Sequence, residues 1–137
     1  MAPTTDRREQ TVRDLFARLS ARDFDAMAEL LADDVEFDLR YAPEMLPMPT
    51  RGRDAVRALV GDVIGAMFDP FAIEVQNVYL GAEPDLVFAE YQSDGTVVHN
   101  GNQYTNRYIG MFRVDDVGIR FWREYHDPEQ ATKALGG

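Results

Sequence analysis

Trp122, Glu124 and His126 stand two residues apart near the end of the chain, in the stretch Ile119-Arg120-Phe121-Trp122-Arg123-Glu124-Tyr125-His126. In a strand, a period of two puts Arg120, Trp122, Glu124 and His126 on one face and Ile119, Phe121, Arg123 and Tyr125 on the other. A carboxyl between an indole and an imidazole is partly desolvated and has a proton partner at hand, and both conditions bring its pKa toward a useful value near neutrality. Glu124 is therefore a candidate general acid–base, with His126 a second candidate one step along the same face and Trp122 a substrate-facing wall. A salt-bridged Glu and a surface His at a sheet rim account for the same spacing.

Tyr104, Asn106 and Tyr108 repeat the spacing on the preceding strand. On a concave face they would set neutral hydrogen-bond donors beside Glu124; otherwise they are core tyrosines with hydroxyls at the rim. His99 and Asn102, just ahead of that strand, are within reach of the same mouth. Asp38 and Arg40 share the polar face of the alternating run at 35–41, either as an outward ion pair or as an Arg that fixes a substrate carboxylate. Tyr41 falls on the opposite, apolar face as a pocket wall. Met45 and Met48, in a loop interrupted by Pro43, Pro47 and Pro49, are placed to close over a flat apolar ligand.

Composition removes whole classes of chemistry. The chain has 137 residues and no cysteine, so thiolate metal sites, disulfides and a cysteine nucleophile are excluded. His99 and His126 lie far apart with no carboxylate cluster at ligand spacing, which gives no metal site, and no Gly-rich phosphate cradle or G-x-S-x-G motif occurs, so no cofactor is expected. The net charge of −10, with Lys133 the sole lysine and no basic block, argues against nucleic acid. No stretch approaches the roughly 20 apolar residues that span a bilayer, and the polar N-terminal stretch has no apolar signal core. A cytoplasmic protein with a small-molecule partner and no membrane contact is the expectation.

The elements that must position these residues can be read along the chain. Val12, Leu15, Phe16 and Leu19 form the apolar stripe of a first helix capped by Thr4, Thr5 or Asp6, and Phe24, Met27, Leu30 and Leu31 form a second helix from an Asp23 cap, stopped by Ala32-Asp33-Asp34. A strand at 35–41, a loop at 42–51 and a third helix from Gly52 to Asp69-Pro70 follow. Strands at 71–80, 86–93, 103–114 and 119–125 then form a meander, broken by turns at Asp94-Gly95 and Asp115-Asp116-Val117-Gly118. The tail after Pro128 is expected to fray. This order predicts one α+β domain over 1–137, with three N-terminal helices against one face of a curved antiparallel sheet.

The order and size, with the phrases Asn106-Arg107-Tyr108-Ile109, Phe112-Arg113-Val114, Gly118-Ile119, Arg123-Glu124-Tyr125 and Asp127-Pro128, resemble the NTF2-like superfamily in its SnoaL-like and phenazine biosynthesis A/B-like branches. The segment from Thr50 to Val56, Thr-Arg-Gly-Arg-Asp-Ala-Val, resembles that family's start of the third helix. The resemblance implies a cystatin-like cone around an apolar pocket, an acid–base carboxyl at Glu124, an apolar polyketide-like or aromatic substrate, and a homodimer. On the last strand Ile119, Phe121 and Tyr125 would form the convex, dimer-facing surface. It implies isomerisation, cyclisation or condensation without a cofactor; the alternatives are a non-catalytic ligand-binding or scaffold protein and an epoxide hydrolase or dehydratase. The third helix has no histidine, unlike the phenazine proteins, and the Asp-Arg-Asp set of the limonene epoxide hydrolase branch is missing.

Overall fold

In the computed structural model, which describes residues 5–136, two short helices precede the sheet, and their caps are aspartates. Asp6 caps α1 (Arg7–Ser20) by accepting from the Arg8 amide at 2.8 Å, and Asp23 caps α2 (Phe24–Ala28) by accepting from the Ala26 amide at 3.1 Å. Thr4, one of the expected caps, lies outside the described residues. Ala32-Asp33-Asp34, expected to stop the second helix, already belongs to β1 (Leu31–Leu39), because Leu31 pairs with Ile119 across the sheet.

After the proline loop, a two-residue strand β2 (Thr50–Arg51) leads into α3 (Arg53–Arg57). The third helix runs on through a π-helical stretch (Ala58–Ile64) to α4 (Gly65–Met67). Long strands follow: β3 (Phe68–Leu80), β4 (Leu86–Val97), β5 (Gln103–Val114) and β6 (Ile119–His126), then α5 (Pro128–Ala134).

The sheet order is β2-β1-β6-β5-β4-β3, and the helices fill its concave side, so the expected α+β cone is what the chain forms. The sheet is not wholly antiparallel as predicted: β1 and β6 run parallel. Asp94-Gly95 is not a turn. It lies inside β4, where a Cβ on Gly95 would come within 2.8 Å of the Pro70 carbonyl oxygen, so the glycine admits the neighbouring strand.

Strict alternation also fails in β6. Arg113 pairs with Phe121 but Val114 pairs with Ile119, so Arg120 is an extra residue that resets the phase. Ile119, expected on the convex face, is fully buried in the core, and Arg120, expected inside, reaches outward to Asp34 and Asp115.

The tail forms α5 rather than fraying. Asn106 holds its start: its side-chain amide donates to the Asp127 carbonyl at 2.9 Å and to the Tyr104 hydroxyl at 2.8 Å, while its oxygen accepts from the Asp127 and Arg107 amides. Asn100 and Asn102 both donate to the Ala134 carbonyl at the other end, at 3.0 Å. Replacing Asn106 by Ala strands buried backbone groups, so Asn106→Ala should cost roughly 2 kcal/mol in chemical denaturation and strip hydrogen-exchange protection from residues 128–134 before the rest of the sheet; equal loss everywhere would show that Asn106 does not act through α5.

Candidate active site

Cross-strand register builds the concave face in rows. Val87, Phe112, Trp122 and Phe37 form one row; Ala89, Gly110, Glu124 and Leu39 the next; Tyr91, Tyr108 and His126 a third. The middle row is small where its neighbours are large. A Cβ on Gly110 would stand 2.6 Å from the Tyr91 hydroxyl, so the bare glycine is what lets the Tyr91 side chain lean across toward Glu124. The open end of these rows is an apolar cavity of about 100 Å³, walled by Phe16, Phe37, Val60 and Ile64, and by Leu135 just past the end of α5.

Glu124 is 8 % exposed and lines this cavity. Its Oε1 accepts from the Trp122 indole nitrogen at 2.8 Å. The Tyr91 hydroxyl approaches the same carboxyl and helps hold its charge without forming a regular hydrogen bond. A carboxylate can accept about four hydrogen bonds. With so few supplied, desolvation outweighs them and pushes the Glu124 pKa up from 4.5 to about 7.

On the adjoining strands of the same concave face, hydroxyls are chained together. Ser93 and Tyr108 are 2.9 Å apart, Tyr108 and Tyr104 3.1 Å, and Asn106 donates to Tyr104. Burial raises the pKa of all three inward tyrosines, Tyr91, Tyr104 and Tyr108, so they remain protonated donors. His126 also lines the cavity, stacked 6.0 Å from Tyr108, and burial lowers its pKa against the opposing pull of Asp127. Its Nδ1 is buried without a partner. Whichever nitrogen carries the neutral ring's proton, this buried Nδ1 is left unsatisfied.

The structure thus gathers Glu124, His126, Trp122, Tyr104 and Tyr108 at one cavity and sets Asn106 behind them as a clamp. It does not bring Tyr41, Arg40 or Met48 there. β1 ends at Leu39, and the turn that follows swings Tyr41 outward to 53 % exposure, against Tyr125. Arg40 is exposed and pairs with Asp38, which also binds Arg123 at 3.1 Å, so the outward ion pair is the arrangement found. The Met48 sulfur accepts from the Leu39 amide and its side chain packs, half-buried, on the core without lining the cavity, Met45 is exposed, and Leu46 and Pro43 reach the cavity in their place. His99 is exposed, and Asn102 serves α5.

Tyr91, Ser93 and Gly110 were missed by sequence reasoning; the period-two pattern of β4 and β5 puts them on the inner face, but only register shows that they meet Glu124 and Tyr108. Among the described residues no cluster of His, Asp and Glu is suited to a metal ion, and no helix is long and apolar enough to cross a membrane.

A family model described as the SnoaL-like domain matches residues 12–122. The uncharacterized protein YesE of Bacillus subtilis is 29% identical over 128 residues, 93% of this chain and 86% of its own length. An uncharacterized PhzA/B-like protein of Pseudomonas aeruginosa, PA3332, is 34% identical over 59 residues, 43% of this chain and 42% of that one. Among solved structures, a Bacillus subtilis protein provisionally called an isomerase superposes with a TM-score of 0.85 at 28% identity, covering 93% of this chain and 91% of that one. A Xanthomonas campestris protein provisionally called a polyketide cyclase shares the fold, with a TM-score of 0.76 at 22% identity over 95% of this chain and 97% of that one.

The indole of Trp122, the only tryptophan, touches the Glu124 carboxyl and reports its charge. Tryptophan emission should change with a midpoint near pH 7, and Glu124→Gln should abolish that transition; a transition that survives in the variant would assign it to another group. Stability follows the same proton. The unfolded chain releases it near pH 4.5 and the folded protein near 7, so between these values folding takes up a proton and stability falls as pH rises. The loss should total roughly 3 kcal/mol in denaturant titrations across that range and should disappear in Glu124→Gln.

Proposed function

The chain belongs to the SnoaL-like family, a branch of the NTF2-like fold, and from that premise we propose that it is a cofactor-independent enzyme in which Glu124 is the general acid–base for isomerisation, cyclisation or condensation of an apolar polyketide-like or aromatic substrate. The observation that carries this reading is a carboxyl with a pKa of about 7 on an apolar cavity that is also lined by a chain of tyrosine hydroxyls. A group titrating near the working pH exchanges protons in both directions at least cost.

In its charged form Glu124 removes a proton from carbon next to a substrate carbonyl. The electrons of the broken C–H bond move onto the carbonyl oxygen, which rests on the hydroxyls of Tyr104 and Tyr108. The resulting enolate has two outcomes. Taking the proton back from Glu124 at a different carbon completes an isomerisation. Attack on a second carbonyl forms a new C–C bond, and Glu124 protonates the alkoxide to close a ring.

Glu124→Gln keeps the shape and the Trp122 contact but removes the exchangeable proton. Turnover should fall by about 10²–10⁴-fold with ligand affinity retained. Unchanged turnover would remove Glu124 as the acid–base group, ligands that bind both forms and are converted by neither would make the protein a binding module, and labelled solvent oxygen in the product would instead place it among hydratases or epoxide hydrolases.

The homodimer belongs to the same reading. The convex sheet face exposes Tyr79 at 51 % and Ile109 at 44 %, with Tyr41 and Tyr125 in contact beside them, which supports burial of this face against a second copy. Sedimentation equilibrium should give a dimer at micromolar concentration and a monomer for Ile109→Glu; a monomeric wild type would remove the proposal.

A further inference from the structure

The cavity beside Glu124 is too small for the molecule it should hold. At about 100 Å³ it falls short of the roughly 150 Å³ of an apolar cavity that takes up benzene, so an aromatic or polyketide-like substrate requires one of the walls to give. Most of them cannot. Trp122, Glu124 and His126 belong to β6, which is paired with a strand on either side, while Phe16 and Val60 are buried in the main core. The proline loop is fastened to that core as well, through buried Leu46 with Ala42 and Met48 packed beside it.

The wall made by α5 is attached differently. At seven residues the helix is too short to persist without a surface to lie on. That surface is a satellite cluster of Phe68, Val97 and Tyr104, apart from the main core, and α5 covers it only with Ala131, Ala134 and the Leu135 that follows; the other residues of the helix are exposed. Two alanines and a half-buried leucine remove little apolar surface from water. The polar attachments are uneven. At the start, buried Asn106 grips both the carbonyl and the amide of Asp127. At the far end a single carbonyl, that of Ala134, accepts from Asn100 and Asn102 of the turn between β4 and β5, each at 3.0 Å. A segment with so few buried apolar contacts opens at a free energy well below that of global unfolding.

We propose that α5 is a lid, pivoting at Asp127 and latched at Ala134, and that the substrate enters beneath it. Lifting the helix takes Ala131 and Leu135 out of the cavity wall and uncovers Phe68, Phe71 and Tyr104, whose ring centroids stand between 4.8 and 6.3 Å apart. A planar apolar ring entering there meets aromatic faces in place of the alanines. The hydroxyl chain survives the motion, because Asn106 holds the Tyr104 hydroxyl and the pivot with one side chain. The proposal rests on the acid–base reading only in taking this cavity as the substrate site.

Trp122, 1 % exposed and on the cavity wall, reports entry through its quenching by acrylamide, a small neutral molecule. Asn100→Ala/Asn102→Ala releases the latch, and Ala134→Asp unseats the helix from Phe68 and Val97 without altering the turn. Each variant should raise acrylamide quenching of Trp122 at least about twofold and lower the hydrogen-exchange protection of residues 131–135 about tenfold, with the protection of β5 and β6 kept. Protection of α5 that is lost only together with that of the sheet, or quenching that stays at the wild-type level once α5 is released, would overturn the proposal. Quenching raised by Leu46→Ala and by neither α5 variant would place the opening at the proline loop and overturn it too. None of these readouts involves turnover, so the effect of Glu124→Gln on turnover decides the acid–base reading separately.

Discussion

A carboxyl that leaves water must find hydrogen bonds, find a cation or keep its proton. Glu124 is given a single well-formed bond from Trp122 and an imperfect approach from Tyr91, with no Arg or Lys among the described residues of the cavity wall, and much of the surrounding architecture follows from that compromise. The indole that donates to it is itself locked in the core by Phe16, Phe37 and Phe112, so the carboxyl is held by a group that cannot swing away. The small pair Ala89 and Gly110 on the adjoining strands leaves the room in which Tyr91 leans over. A larger residue at Gly110 would push the tyrosine out and change the electrostatics of a residue on another strand.

The arginines show the other side of the same constraint. They are numerous enough to neutralise a buried acid, yet those nearest in the fold are engaged outside: Arg123 lies over Phe121 and binds Asp38, Arg120 bridges Asp34 and Asp115, and Arg57 joins Asp25 to Asp62. Exposed pairs of this kind contribute little stability each. Their consequence here is segregation, with charge pairing on the convex and helical surfaces and only neutral donors facing the cavity. Asn106 belongs to both regions, since one side chain ties the Tyr104 hydroxyl at the cavity to the start of the helix that closes it.

Much of this was legible in one dimension. Apolar spacing locates α1, α2 and the long strands, Asp6 and Asp23 are caps by type and position, and the two-residue period sets Trp122, Glu124 and His126 on one face, as it does Tyr104, Asn106 and Tyr108. These are local rules in which a residue's neighbours along the chain decide its conformation. The same rules misplaced Ile119, Arg120 and Tyr41, because a bulge or the end of a strand resets a period without leaving a clear mark in residue type.

By itself the sequence determined the α+β order, the lack of thiol chemistry, the acidic balance, and a carboxyl flanked by aromatic and imidazole groups. Tertiary structure alone decided that Tyr91 and Gly110 meet Glu124, that α5 and Leu46 close the cavity while Met48 and Tyr41 stay outside, and that the nearby guanidiniums point away. The physical reason is that a pKa and a cavity volume depend on desolvation and on contacts between strands distant in sequence. These quantities come into being only when register fixes which side chains face one another.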